Sequence, residues 1–384
     1  MQTHLSWARK LFFYVLLALS PLAILGLIEL GLRLAGYGED VSLFVTLEKN
    51  QNYWITNPNV GRRYFLRRDF LPATSYDAFL KQKPANAFRI FVLGESAAAG
   101  FPHLNNGAFS RMLREHLQQA RPDLRIEMVN LALPAVSSYA LLDFADELAG
   151  YGAFGSASTE SLGRRRGWIR LYLRLQHLKL MQLLRRSLLQ LTSASGALAP
   201  RESGTLMARL AEEKQIPLGS ALYTLTAHQF HDNLDELVAL LQSRGLKVML
   251  SDLPSNFSGL PPFASLHGAR SDRTQWQRCF EQAMRLAAAD SCAAALAWFN
   301  RAAEIDSLPA RLHFERGNCL LRLGRASEAR AAFTAARDLD GLRFRASSDF
   351  NRIIHAVARS RNLPVIAAIR CCSSMSIPTS TGIY

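Results

Sequence analysis

The sequence has few cysteines, and no pair of them suggests a metal site or a disulfide. Only 5 of the 384 residues are cysteine, all lie in the last third of the chain, and none form a C-x-x-C motif. This odd number excludes a framework of paired disulfides and gives no sign of zinc binding or redox chemistry. Cys292 and Cys319 lie in alanine-rich helical sequence, where a small buried thiol is the ordinary explanation. We therefore expect no metal and no cofactor.

Acidic residues are scarcer than basic ones, with 31 Asp and Glu against 45 Lys and Arg and a net charge of +14. A positive surface attracts nucleic acid or an anionic membrane. The arginines are spread along the chain, however, without the aromatic-interleaved basic motif of RNA-binding modules. We expect no nucleic-acid partner, and a general effect on solubility is the simpler interpretation of the charge.

Charged residues are absent from Leu11 to Ile28, directly after Arg9 and Lys10. At 1.5 Å per residue this run makes about 27 Å of helix, close to the hydrocarbon thickness of a bilayer. A cleaved signal peptide is the alternative, but Pro21 follows the nearest small-residue site and would hinder cleavage. The sequence predicts a single-span membrane anchor over residues 1–35, with a cytoplasmic amino terminus and the main domain outside the cytoplasm.

The rest of the chain divides by its pattern into four parts. Residues 36–85 predict a membrane-proximal linker with little regular structure. Residues 86–270 alternate strand and helix patterns, which predicts a parallel sheet with crossover helices, and residues 341–384 resume that α/β pattern before an aberrant tail. Where a third strand is due, the sequence is GAFGSASTESLG, with no β-branched run, so we expect one strand to be missing.

A long helix is predicted from about Arg164 to Leu191, with basic residues on one side and leucines on the other. Such a helix could lie on a membrane surface. The simpler interpretation is a leucine face packed on the domain and a basic face in solvent.

Residues 271–340 contain an internal repeat. Ala295, Phe299, Ala302, Ile305 and Asp306 recur as Ala329, Phe333, Ala336, Leu339 and Asp340, each at an offset of 34 residues. Small residues with an aromatic at this period are typical of tetratricopeptide repeats, in which paired helices approach closely. Because the α/β pattern resumes afterwards, the repeat pair is predicted to be an insertion.

The stretch FRIFVLGESAAAGFP, residues 88–102, predicts a buried strand that runs into a turn and a helix. A serine at that point, here Ser96, has unpaired backbone N–H groups beside it that can stabilise an oxyanion. A phosphate-binding loop is the alternative, but GESAAAG matches neither the P-loop nor the dinucleotide motif.

Together with FSRMLREHL, RIEMVNLALPAVSSYALLD and SNFSGLPPFASLH, this stretch resembles the SGNH (GDSL-like) hydrolases, and in particular membrane-anchored members with tetratricopeptide repeats. The resemblance implies a flavodoxin-like parallel α/β fold and hydrolysis of esters of carbohydrates or lipids. It implies that Ser96 is the nucleophile and that its own N–H is one oxyanion donor. Ala132 and Ala135 occupy the neighbourhood of the glycine that supplies a second N–H in the family.

Two of the four sequence blocks of that family are missing. No G-x-N motif, which gives an asparagine to the oxyanion hole, occurs between Tyr139 and His228. The carboxyl-terminal tail also lacks the D-x-x-H motif that provides the base, and His103 is the substitute that lies nearest to Ser96 in sequence. We therefore expect an impaired ester hydrolase. The alternative is a non-catalytic, membrane-tethered adaptor that binds a protein partner through its repeats.

Overall fold

The computed structural model describes residues 7–65, 71–72, 74–100, 108–148, 151, 155–157, 172, 175–194 and 215–368. The chain forms two compact units. The amino-terminal unit consists of Met1–Glu147 and Arg165–Arg201, and the carboxy-terminal unit consists of Leu148–Arg164 and Glu202–Tyr384.

The first element of the amino-terminal unit is the apolar helix α1 (Trp7–Leu34). Its segment Phe13–Leu34 has 22 residues and is long and apolar enough to cross a membrane. At 1.5 Å per residue this segment is about 33 Å long. Large apolar side chains along it, such as Leu17 and Leu27, are exposed. By length and composition the helix agrees with the predicted anchor.

A small antiparallel sheet occupies the region for which the sequence predicts a linker with little regular structure. Its strands are β1 (Phe44–Leu47), β2 (Asn50–Thr56) and β3 (Ala78–Leu80), in the order β1-β2-β3. Phe44 and Phe79 meet Phe91 of the next strand, with ring centroids 4.9–5.8 Å apart. The prediction was wrong because these short strands depend on distant partners and leave little periodicity in the local sequence.

The next two strands are parallel to each other, as predicted. Strand β4 (Ala87–Val92) pairs residue for residue with strand β5 (Arg125–Asn130). Each strand carries one buried charged side chain, Arg89 in β4 and Glu127 in β5. The two side chains form an ion pair of 2.7 Å. The pair satisfies two groups that would be costly to bury alone.

The described part of this unit also contains a 3-10 helix (Val60–Arg63) and four further α-helices: α2 (Ser96–Ala99), α3 (Phe109–Ala120), α4 (Ser138–Leu148) and α5 (Lys179–Ala194). The last of them falls within the predicted basic helix. Tyr172 and Leu175 are also helical, and a break at Gln176–Leu178 separates them from α5, which begins at Lys179. The predicted start near Arg164 lies outside the described residues.

The carboxy-terminal unit contains three parallel strands, β6 (Gly155–Ala157), β7 (Val248–Ser251) and β8 (Val365–Ile366), with β7 in the middle. Strand β6 lies in the segment from which the sequence predicts a strand to be missing, so that prediction was wrong. Its residues have low β-propensity, and hydrogen bonds to β7 decide their conformation. Helix α6 (Ala221–Ser243) packs against a helix that comes later in the chain, Ser348–Ser360. Their contact includes the rings of Phe230 and Phe350, whose centroids are 5.1 Å apart.

Between these elements lie two helical hairpins. Helix α7 (Arg273–Ala288) packs on α8 (Cys292–Ile305), and α9 (Ala310–Arg322) packs on α10 (Ala326–Leu339). Helix α11 (Ser348–Ser360) follows them. Eight of the ten positions related by the offset of 34 residues are buried: Ala295, Phe299, Ala302, Asp306, Ala329, Phe333, Ala336 and Asp340.

The second hairpin depends on a glycine. A Cβ at Gly317 of α9 would stand 2.8 Å from two ring carbons of Phe333 of α10. Because Phe333 is itself packed in the core, its ring has little room to move.

We therefore predict that Gly317→Ala lowers the free energy of unfolding by about 1–2 kcal/mol, since overpacking outweighs the better helix propensity of alanine. Urea unfolding of the single variants and of Gly317→Ala/Phe333→Leu would measure the coupling. Gly317→Ala should lower the free energy of unfolding by less in the Phe333→Leu variant than in the native protein. An equal cost in both backgrounds would contradict the ring clash.

Candidate active site

Ser96 is the first residue of α2, four residues after the end of β4. Its side chain is half-buried, and its hydroxyl forms no hydrogen bond with any residue that the structure describes. The backbone N–H groups at a helix start have no partner within the helix. This helix is a single turn that ends at Gly100, whose φ of 91° is left-handed, so its macrodipole adds little. The N–H groups themselves are the oxyanion donors that this turn can offer.

Asn130 fixes the surroundings of this turn. Its side chain is buried at the end of β5, and its Nδ2 donates to the carbonyl of Ala98 at 2.8 Å and to the hydroxyl of Ser110 at 3.0 Å. Its Oδ1 accepts the N–H of Ala132 at 3.0 Å. One amide therefore holds together the serine helix, the start of α3 and the loop after β5.

Asp77 holds the backbone of Asn130. Its Oδ2 accepts the N–H of Asn130 at 2.8 Å, and its Oδ1 lies 3.3 Å from a guanidinium nitrogen of Arg111. Burial is the largest influence on the pKa of this carboxyl and raises it, while the N–H of Asn130 and the charge of Arg111 oppose the rise. Sequence reasoning missed Asp77, Ser110 and Asn130, although a polar residue that closes an apolar strand was a usable signal at Asn130.

The two alanines predicted for the oxyanion neighbourhood have different environments. Ala132 is fully buried, and its N–H already donates to Asn130 Oδ1. The neighbouring N–H of Leu133 is also used, since it donates to the carbonyl of Gly94 at 3.1 Å. Ala135 is exposed and has a φ of 60°, a conformation that favours glycine.

His103, the predicted substitute base, lies outside the described residues. The described histidines of the amino-terminal unit have other environments: His116 is exposed on α3, and His177 Nε2 lies 3.9 Å from Asp143. Neither forms a hydrogen bond with Ser96. Within the described part of that unit, no histidine is therefore placed to accept the proton of the serine through a hydrogen bond.

Among the described residues of the carboxy-terminal unit, three histidines pair with carboxylates. His231 Nδ1 lies 3.3 Å from the exposed carboxylate of its neighbour Asp232. His267 Nδ1 lies 3.0 Å from Asp306 and its ring packs edge-on against Trp276, so it ties a loop to the helical hairpins. His355 of α11 is half-exposed, and its Nε2 is 4.0 Å from the buried carboxylate of Asp252, directly after β7. His355 therefore lies close to a buried carboxylate but beyond hydrogen-bond distance.

Comparison with known proteins adds little to this description. No family model matches the chain, and no curated protein matches it. Among solved structures the chain is similar to the crystal structure of TesA, with 12% identity and a TM-score of 0.29, over 72% of this chain and 77% of that one. A TM-score this low carries no argument about fold or function.

We predict that Asn130→Ala destabilises the amino-terminal unit by about 2–3 kcal/mol, because it leaves buried partners such as the Ala98 carbonyl and the Ala132 N–H without hydrogen bonds. Urea unfolding would measure the loss. Asn300→Ala, at an exposed position of α8, is the matched control and should change stability by less than about 0.5 kcal/mol. Equal effects of the two substitutions would contradict the role given to Asn130.

We also predict that Ala135→Gly stabilises the protein by about 0.5–1 kcal/mol. A left-handed alanine costs about 1–2 kcal/mol, and the larger entropy of unfolded glycine takes back part of that gain. The control is Ala297→Gly, at an exposed position inside α8, which should cost about 1 kcal/mol. The left-handed conformation of Ala135 would be refuted if both substitutions lowered the urea midpoint alike.

Proposed function

We propose that this chain is a membrane-anchored serine ester hydrolase of the SGNH type, with Ser96 as its nucleophile and with weak activity. The observation that supports this most directly is the position of Ser96 at a helix start that follows a buried parallel strand. In a flavodoxin-like sheet the first two strands are neighbours, and the third, fourth and fifth strands follow one another in order. The pairing of β4 with β5 in one unit, and of β6 with β7 and β7 with β8 in the other, agrees with that order.

In the proposed reaction, the Ser96 hydroxyl attacks an ester carbonyl while a base accepts its proton. The backbone N–H of Ser96 stabilises the negative oxygen of the tetrahedral intermediate. The alcohol then leaves with a proton, and a water molecule hydrolyses the acyl-serine by the same route. His103 remains the proposed base.

Weak activity follows from the groups that this site lacks. The family's asparagine donor has no counterpart in the sequence, and loss of one oxyanion donor costs about 10²–10³-fold in kcat. The N–H of Ala132 is also occupied by Asn130. A poorly placed base would cost about another 10²–10⁴-fold.

We further propose that α1 spans a membrane once, with Arg9 and Lys10 on the cytoplasmic side. The rest of the chain then lies on the other side of the bilayer. Its substrates would be esters that occur there, on lipids or carbohydrates.

A second candidate function is a tethered adaptor whose helical hairpins act as a tetratricopeptide repeat pair. It is favoured by the burial of equivalent small and aromatic residues in α8 and α10 and by the close approach of Gly317 to Phe333. The first helix of each hairpin exposes arginines, among them Arg278 and Arg311, that suit an acidic peptide. Charge reversal at Arg278 would weaken such binding, whereas Ser96→Ala would not affect it.

The test of hydrolysis is covalent labelling of the full chain in detergent by a fluorophosphonate. We expect slow labelling that Ser96→Ala abolishes, because the phosphorus reacts only with an activated serine. Ser243→Ala, at an exposed helix end, should label as the native protein does. His103→Gln should slow labelling at least about tenfold if it is the base.

Unfolding curves of the same samples separate loss of chemistry from loss of structure. A folded native protein whose labelling is unchanged by Ser96→Ala would reject Ser96 as nucleophile. A folded protein that does not label at all would reject hydrolysis and leave the adaptor function to be tested through Arg278.

A further inference from the structure

Helix α5 has its polar and apolar faces reversed relative to an ordinary surface helix. Its basic side chains point to the protein: Arg185 donates to the carbonyls of Arg62 and Arg63 at 3.2 and 3.3 Å, and Arg186 lies 3.2 Å from the carboxylate of Glu39. Three of its leucines lie on its outer face, whereas Leu180, Leu183 and Leu189 are half-buried. Leu184, Leu188 and Leu191 are 55%, 60% and 70% exposed.

These leucines form one stripe, because positions 184, 188 and 191 are separated by about one and two helical turns. A packed core helix would bury such a stripe, and a solvated helix would carry polar residues there. The simpler interpretation of the sequence, with leucines packed inward and basic residues in solvent, is therefore wrong for these three leucines and for Arg185 and Arg186. An exposed leucine stripe suits an apolar environment.

The start of α5 is attached to the last turns of the anchor helix. The carboxylate of Glu29 in α1 accepts the N–H of Lys179 at 3.1 Å and of Leu180 at 2.8 Å. A carboxylate in this position accepts hydrogen bonds from N–H groups that the helix start leaves unpaired. It is also attracted by the partial positive charge at that end of the helix. The same α5 start is held to the segment after the anchor, since Lys179 Nζ donates to the carbonyl of Glu39 at 2.7 Å.

The contact also gives a depth. Glu29 lies five residues before the end of α1 at Leu34, which corresponds to about 7–8 Å along the helix axis. Interfacial amphipathic helices bury their apolar faces about 5–10 Å into the boundary between headgroups and acyl chains. Further along α5, Arg186 still contacts the ring of Tyr37, three residues beyond the anchor. Over its first two turns the helix thus stays near the end of α1.

We propose that α5 is an interfacial membrane helix whose leucine stripe inserts into the same bilayer leaflet that α1 leaves. This inference rests on the proposed membrane anchoring. The anchor fixes the height of the helix through Glu29, and the leucine stripe fixes its rotation, so the protein contacts the membrane at two elements. Such a second contact orients the amino-terminal unit, which a single spanning helix would leave to rotate.

The test measures the environment of nitroxide labels on the full chain in vesicles of phosphatidylcholine and phosphatidylglycerol. Single cysteines are introduced as Leu184→Cys, Gln190→Cys and Leu22→Cys after Cys371 and Cys372 are replaced by serine, because the other three cysteines are buried. Gln190 is the matched control: it is exposed on the same helix, one-third of a turn from Leu184. Leu191→Cys repeats the test at a second position of the stripe.

We expect the ratio of oxygen to nickel-chelate collision rates to be several-fold higher at Leu184 than at Gln190, and high at Leu22. Equal ratios at Leu184 and Gln190 would mean that the stripe is in water and would overturn the proposal. Low collision rates of both reagents at Leu184 would mean that protein covers it, such as a second copy, and would overturn it too. A low ratio at Leu22 would reject the anchor itself, whereas a high one at Leu22 alone would reject only the role of α5.

Discussion

The turn that carries Ser96 depends on one requirement: a buried side-chain amide must have hydrogen-bond partners. Asn130 meets it by donating to the Ala98 carbonyl and to Ser110 while accepting the N–H of Ala132. These bonds fix the loop after β5 against α2, and so they set the place of Ser96. In the proposed hydrolase the same bonds remove one possible oxyanion donor, because the N–H of Ala132 already donates to Asn130.

A second set of charges holds the region between α1 and the parallel strands. The side chain of Arg63 is fully buried, donates to Asp143 of α4 at 2.9 Å and also pairs with Glu147. The carbonyl of Arg63 accepts from Arg185 of α5. Buried ion pairs of this kind fix geometry more than they add stability. Here the ion pairs connect the segment after α1 to α4, and the hydrogen bond from Arg185 connects it to α5.

Two aspartates at equivalent positions of the helical hairpins also fix the local geometry, because their carboxylates accept backbone N–H groups. Asp306 accepts the N–H of Gly268 at 2.9 Å, and Asp340, 34 residues later, accepts the N–H of Ala264 at 2.9 Å. Burial would raise the pKa of Asp306, but hydrogen bonds from Leu308 and Gly268 lower it below its ordinary value. The repeat therefore does more than pack helices, because each copy also holds part of the loop that precedes them.

The sequence by itself determined the elements whose signals are local. The charge-free run of α1, the apolar strands β4 and β5, the helices of the repeat and the position of Ser96 were all readable from periodicity and composition. The tertiary structure decided what depends on partners distant in the chain. Strand β6 forms against β7 despite its small residues, the β1–β3 sheet forms around Phe44 and Phe79, and Asn130 takes the N–H of Ala132. The rotation of α5 is of this kind as well, because an amphipathic pattern shows that a helix has two faces, while only the contacts of Arg185 and Arg186 decide which face meets the protein.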